Sequence, residues 1–265
     1  DLVRSRGLGD VYKRQDIGNT NIKTGLFKDG RLQNSWRLRT DSLRTADEYG
    51  TQMEGFFGHL NIDTREVDGI IMSSVIPSMN YTMEHMCELY FHQQKVMVVN
   101  SEMNLGISIR YDMPSQLGSD RICNAVEAYH IYGGPCTIVD FGTATNFAVV
   151  SAEGEFLGGL ICPGIMVSAD ALIERAAMLH KVEYIKPEKV IGTNTRDGIQ
   201  SGVIRGYVGQ VDYILRQIEK ELGVKQTVVA TGGMSNMIAS ETDRINYVNP
   251  TLTLEGLARI YDMNR

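Results

Sequence analysis

Two short segments constrain this chain more than anything else in it. Asp16-Ile17-Gly18-Asn19-Thr20 and Asp140-Phe141-Gly142-Thr143-Ala144-Thr145 each set an aspartate, one apolar residue and a glycine ahead of hydroxyl or amide side chains. Each segment runs on into residues that read as a β-hairpin. The first has strands at 21–27 and 32–38 across Lys28-Asp29-Gly30-Arg31, and the second has strands at 146–151 and 156–160 across Glu153-Gly154, because Asp-Gly readily supplies the positive φ of a hairpin turn. Glycine lets the backbone approach a phosphate closely, turn N–H groups and Thr hydroxyls donate to its oxygens, and an aspartate is a hard oxygen ligand for a cation. One such segment alone is better read as an ordinary Asx-Gly turn at a strand end, since such pentapeptides arise readily by chance. Its recurrence before the same hairpin favours phosphate binding and a chain of two similar halves.

The rest of the chain has the same α/β grammar. Apolar spacing predicts helices at 47–60, 79–92, 120–132, 167–179 and 195–222 and one after Pro250, with strands at 69–75, 95–99, 137–139 and 227–230. The alternation implies mixed sheets flanked by helices, divided into residues 1–115 and 116–265. A length of 265 residues suits two compact domains.

Charge narrows the class of partner. With 26 Lys and Arg against 32 Asp and Glu, the net charge of -6 has the wrong sign for holding nucleic acid or anionic lipid nonspecifically. A small-molecule partner fits better. The four cysteines, Cys87, Cys123, Cys136 and Cys162, form no Cys-x-x-Cys pair, and none of the five histidines stands at zinc-ligand spacing. Buried reduced thiols are expected. No apolar run reaches the span of a bilayer and the first residues lack a signal-peptide core, so the expected location is the cytoplasm.

A third glycine turn, Ala230-Thr231-Gly232-Gly233-Met234, comes after an apolar strand, the setting for close contact with an adenosine or sugar. Neither the P-loop nor the Rossmann fingerprint occurs. Between the halves lies Tyr111-Asp112-Met113-Pro114-Ser115-Gln116-Leu117-Gly118-Ser119-Asp120-Arg121. Asp120 reads equally as a helix N-cap or as a base beside a guanidinium that holds a carboxylate. Lys23 reads as a phosphate ligand or as an outward-facing strand lysine.

Together these segments resemble type III pantothenate kinase, of the acetate and sugar kinase, Hsc70 and actin superfamily. The resemblance is carried by Asp16 to Lys23, Gly118-Ser119-Asp120-Arg121, the Asp140 segment, Pro163-Gly164, and Asn194-Thr195 with Gly198-Ile199-Gln200-Ser201-Gly202. It implies two actin-like, ribonuclease H-like halves with the nucleotide in the cleft between them. It also implies ATP-dependent phosphorylation of pantothenate to 4'-phosphopantothenate, the first step of coenzyme A biosynthesis. By the same resemblance Asp16, Ile17, Gly18, Asn19, Thr20, Asn21, Ile22, Lys23 and Thr143 bind ATP. Tyr111, Gly118, Ser119, Asp120, Arg121 and Thr195 contact pantothenate, Asp120 being the catalytic base. Asp140 holds a monovalent metal, potassium, or ammonium in its place, and Mg²⁺ arrives with ATP. A homodimer is implied, with Thr195 reaching its site with help from the neighbouring subunit. Two rivals stay open: a regulatory protein of this fold that has lost catalysis, and a kinase of another small hydroxy acid.

The N-terminus departs from the family pattern. An apolar strand should lead into Asp16, yet Val11-Tyr12-Lys13-Arg14-Gln15 precedes it, after the Gly/Arg-rich Arg4-Ser5-Arg6-Gly7-Leu8-Gly9. Residues 1–15 are therefore atypical and read either as foreign sequence or as a divergent, genuine extension. They are expected either to fray or to pair while their charged side chains snorkel to the sheet ends.

Overall fold

The structure, a computed structural model, describes residues 11–265 apart from 93, 94 and 177. Residues 1–10 of the atypical N-terminal stretch lie outside the described residues. The chain forms two compact units that interleave in sequence. One comprises residues up to Gly106, Met113–Glu127 and Thr253–Arg265, and the other comprises Ile107–Asp112 and Ala128–Leu252.

The first unit is built on a five-stranded sheet of β1 (Val11–Ile17), β2 (Asn21–Lys28), β3 (Arg31–Arg39), β4 (Gly69–Ser74) and β5 (Met97–Val98), in the order β3-β2-β1-β4-β5. Strands β1 to β3 run antiparallel, while β4 and β5 join parallel to β1. Asp29 and Gly30, both at positive φ, make the expected turn between β2 and β3. Helix α1 (Ala46–Gly58) starts with a capping box, in which Thr45 and Glu48 each accept the other's backbone N–H. Tyr49, Met53 and Phe57 recur every fourth residue along α1, and all are fully buried with Ile17, Ile22 and Leu26 of the sheet. Helix α2 (Pro77–Phe91) opens on proline, whose missing N–H costs nothing at that position, and adds Met83, Met86 and Phe91 to the same core.

Strand β1 differs from the sequence expectation. It neither frays nor lets its charges reach the sheet ends: all seven residues are buried, with β2 on one side and β4 on the other. Alternation sends Lys13 towards the helices with Ile17, and Arg14 to the opposite face. Aromatic rings accommodate the two cations. Lys13 Nζ sits 4.5 Å from the Phe91 ring centroid and donates to Cys87 Sγ at 3.4 Å. The Arg14 guanidinium lies 4.3 Å from the ring centroid of Tyr261 and 4.7 Å from that of Tyr12. Gln15 is buried with neither side-chain polar atom hydrogen-bonded.

The second unit repeats this plan. Strands β7 (Cys136–Phe141), β8 (Ala144–Val150) and β9 (Glu155–Pro163) form an antiparallel meander. Strands β10 (Thr227–Gly232) and β11 (Tyr247–Val248) join parallel to β7. The order β9-β8-β7-β10-β11 matches that of the first sheet, and a two-residue β6 (Ser108–Ile109) extends the β9 edge. Helix α4 (Ile165–Arg175) and the long α5 (Thr195–Leu222) cover one face. Asn194 caps α5 by accepting the Asp197 N–H, and Gly223 at φ 67° ends it. Ile204, Tyr207, Val211, Leu215 and Ile218 pack against Val139, Phe141, Phe147 and Val149. Short α6 (Ser235–Ala239) comes after β10. Helix α3 (Ser119–Tyr132) begins in the first unit and ends in the second, and α7 (Leu252–Asn264) returns to the first.

Candidate functional site

In the first unit the site elements meet at the C-terminal ends of β1 and β4. Asp16 is the penultimate residue of β1 and is only 6% exposed. The glycine turn after it is closed by Gly18 N–H donating to the Asn21 carbonyl at 3.1 Å. Thr40 fastens the turn from outside, its hydroxyl donating to the Gly18 carbonyl at 2.6 Å and its N–H to that of Thr20 at 3.0 Å. Asn19 and Thr20 are exposed, and Asn21 is half-buried. Ile17 and Ile22 point into the core, so any contact they offer a ligand comes from their backbone. Lys23 pairs in register with Asp16 on one side and Arg37 on the other, and Asp16 pairs with Ser73. Register partners share a face, so one cross-strand row carries two cations, a carboxylate and a hydroxyl.

Ser73 was not among the residues singled out from sequence, and it is the first partner of Asp16. Its hydroxyl donates to Asp16 Oδ1 at 3.0 Å. Ser119, the first residue of α3, packs on the same strand end: its Oγ accepts the Ser74 N–H at 2.9 Å and lies 3.2 Å from Ser73 Oγ. Asp120 is next, in the first turn of α3. Its Oδ1 accepts the Arg121 N–H at 2.8 Å, and a Cβ on Gly118 would stand 2.5 Å from that oxygen. Glycine at 118 thus leaves room for the carboxylate to fold over the helix start. Arg121 is buried, and Asp120 is half-buried. One turn further along, burial pushes the Cys123 thiol well above its usual range, and the charges of Asp16 and Asp120 push it further. Both carboxylates therefore act on one point of the helix.

In the second unit Asp140 stands in register between Thr231 on β10 and Asn146 on β8. Glycines surround it. Gly142 N–H donates to the Ala144 carbonyl at 3.1 Å and Gly164 N–H to the Thr143 carbonyl at 3.0 Å. A Cβ on Gly164 would stand 2.4 Å from the Thr143 carbonyl oxygen, and one on Gly232 would stand 2.6 Å from Asp140 Oδ1. The Thr231 hydroxyl is buried with no hydrogen-bond partner. Thr145 Oγ1 contacts the Tyr207 hydroxyl, which ties the turn to α5. Thr143 is exposed, Tyr111 packs edge-on against Phe156 at 6.2 Å, and Thr195 is the exposed first residue of α5. The candidate residues thus fall into two sets, Asp16 to Lys23 with Gly118 to Arg121 in one unit, and Tyr111, Asp140, Thr143 and Thr195 in the other.

Comparison with known proteins gives this geometry a family. The model of the type III pantothenate kinase family matches residues 15–217. A type III pantothenate kinase of Brevibacillus brevis is 46% identical over 250 residues, covering 94% of this chain and 98% of that protein. Among solved structures, a Baf family protein from Campylobacter jejuni superposes with a TM-score of 0.61 at 18% identity, over 94% of this chain and 97% of the other. Component A of the (R)-2-hydroxyglutaryl-CoA dehydratase of Acidaminococcus fermentans gives 0.56 at 14% identity, over 95% and 97%. At those identities the structures speak for the fold alone. The family match over most of the chain, and the identity to a relative along nearly its whole length, establish that this chain belongs to the type III pantothenate kinase family.

Proposed function

We propose that the protein transfers the γ-phosphoryl group of ATP to the primary hydroxyl of pantothenate, giving 4'-phosphopantothenate and ADP. Family membership carries this reading, and the carboxylate at the start of α3 supplies the chemistry. Asp120 accepts the hydroxyl proton as the hydroxyl oxygen bonds to the γ-phosphorus. The bond from that phosphorus to the β–γ bridging oxygen breaks, and ADP leaves. Gly118, Ser119, Tyr111 and Thr195 line the acceptor, and the Arg121 guanidinium takes its carboxylate. The turn from Asp16 to Lys23 and the exposed Thr143 bind the phosphates through N–H, hydroxyl and ammonium donors. Mg²⁺ carried by ATP neutralises charge on the transferring group.

Asp140 and Thr231 fit a monovalent cation. Their carboxylate and unpartnered hydroxyl, with the neighbouring Phe141 carbonyl, form a set of hard oxygen donors. Potassium or ammonium there would steady the phosphate turn. On this reading the enzyme acts in the cytoplasm as a homodimer. Among the described residues no helix is long and apolar enough to cross a membrane, and the second unit exposes Ile161, Met166, Val167 and Leu172. A regulatory protein or a kinase of another hydroxy acid is not favoured, since the family match points to pantothenate and the chain retains Asp120 and Asp140.

The test is ADP release with and without pantothenate, in potassium and in sodium salts at equal ionic strength. Release that depends on pantothenate and runs faster in potassium is expected. Release indifferent to pantothenate would refute the kinase reading, and equal rates in the two salts would refute the cation site.

A further inference from the structure

We infer that Ser73 is a positioning residue, which orients the Asp16 carboxylate and ties it through Ser119 to the helix start that carries Asp120. The inference rests on the kinase reading of those two aspartates. Ser73 is completely buried, and Asp16 and Ser119 are each 6% exposed, so water does not substitute for these bonds. A serine has one proton to give. That of Ser73 goes to Asp16 Oδ1 at 3.0 Å, which leaves its oxygen to accept from Ser119 at 3.2 Å. The Ser119 oxygen in turn accepts the Ser74 N–H at 2.9 Å, and the Ser74 carbonyl lies 3.1 Å away as an alternative acceptor for its proton. Ser119 is thus held to the strand end from both sides, with Asp120 the next residue. A hydroxyl row therefore runs from the Asp16 carboxylate at the end of β1 to Ser119, the residue before Asp120 at the start of α3. Positioning of reacting groups dominates phosphoryl transfer, so a carboxylate that loses its buried donor should lose rate more than affinity.

The experiment compares kcat and KM for ATP and pantothenate in the wild type, Ser73→Ala, Ser73→Thr, Asp16→Asn and the Ser73→Ala/Asp16→Asn double variant, with melting temperatures alongside. Ser73→Ala is expected to lower kcat by about tenfold or more, the scale of a hydrogen bond to a charged group, with both KM values nearly unchanged and the melting temperature lowered by a few degrees because Asp16 loses a buried donor. Ser73→Thr, which keeps the hydroxyl, should recover most of the rate. On the Asp16→Asn background the alanine should cost little further. Wild-type kcat in Ser73→Ala, or an undiminished loss on the Asp16→Asn background, would overturn the inference while leaving the kinase reading intact. A wild type that forms no ADP with pantothenate would overturn both.

Discussion

Asp120 is placed to cap the helix and to serve as the proposed base, for its Oδ1 accepts a first-turn N–H of α3 while the group remains only half-buried. Asn keeps the acceptor oxygen and the shape but cannot take a proton. Asp120→Asn is therefore expected to leave melting temperature and ATP affinity largely intact while kcat falls about a hundredfold or more. Turnover and nucleotide titration of the two forms check this, and wild-type turnover would leave Asp120 as a helix cap alone. Lys13 makes the opposite kind of case, a charge outside the proposed site. Burial pushes its ammonium below the ordinary 10.5, partly offset by Cys87. Between the lowered value and 10.5 the unfolded chain holds a proton that the folded chain has lost, so stability from this group rises with pH across that window and is poorest below it. Lys13→Met is therefore expected to stabilise the protein most at pH values below that window. Its advantage should shrink as the pH climbs through that window, by about 1.4 kcal/mol per pH unit. Urea midpoints of both forms from about pH 7 to about pH 10 decide it: parallel curves would refute the prediction. Taking the difference between two forms cancels the opposing effect of the Cys123 and Cys136 thiols, which burial raises in both.

The helices and hairpins were the legible elements. The period of apolar residues placed α1 to α5 to within a few residues, and Asp29-Gly30 and Glu153-Gly154 marked both hairpin turns. Strands β6 and β11, of two residues each, are too short to show any period. Strand β1 was illegible for another reason. Its burial depends on rings brought in from α2 and α7, and no local pattern announces that Phe91 and Tyr261 will cover Lys13 and Arg14. Ser73 was missed on the same ground, because only strand register sets it beside Asp16. Helix α7 shows how far such dependence extends. Its Gly256 approaches α3 so closely that a Cβ would stand 2.1 Å from the Cys123 carbonyl oxygen. On either side Thr253 donates to Asn124 at 2.8 Å, and Arg259 grips Glu127 through bonds of 2.6 and 3.1 Å. Alanine is the better helix former by about 1 kcal/mol. Gly256→Ala should nonetheless destabilise by about 1–3 kcal/mol, because the obstacle is backbone and cannot rotate away. It should also lower turnover, because α3 carries Asp120. A rise in urea midpoint would show instead that the two helices can part without loss.

At the scale of the molecule, the repeated aspartate and glycine turn announced the repeated sheet. Both units carry the strand order of an antiparallel meander with two parallel strands added, and in both the turn comes directly after the central strand. The exposed apolar side chains of β9 and α4 belong to the second unit only. If they are the contact between copies, Val167→Asp is expected to convert a dimer into a monomer at micromolar concentration while the helical circular dichroism stays the same. Light scattering reads the outcome, and an unchanged dimer would move the interface elsewhere. The interleaving of the units also governs the order in which they can be finished on the ribosome. Everything the second unit needs has been synthesised once residue 252 is in place, whereas the first unit, begun first, still lacks 253–265. At about 5–20 residues per second, the helix bearing Asp120 waits for its brace until residues 253–265 emerge. Of the two units, the one that starts earlier in the chain is thus the one completed later.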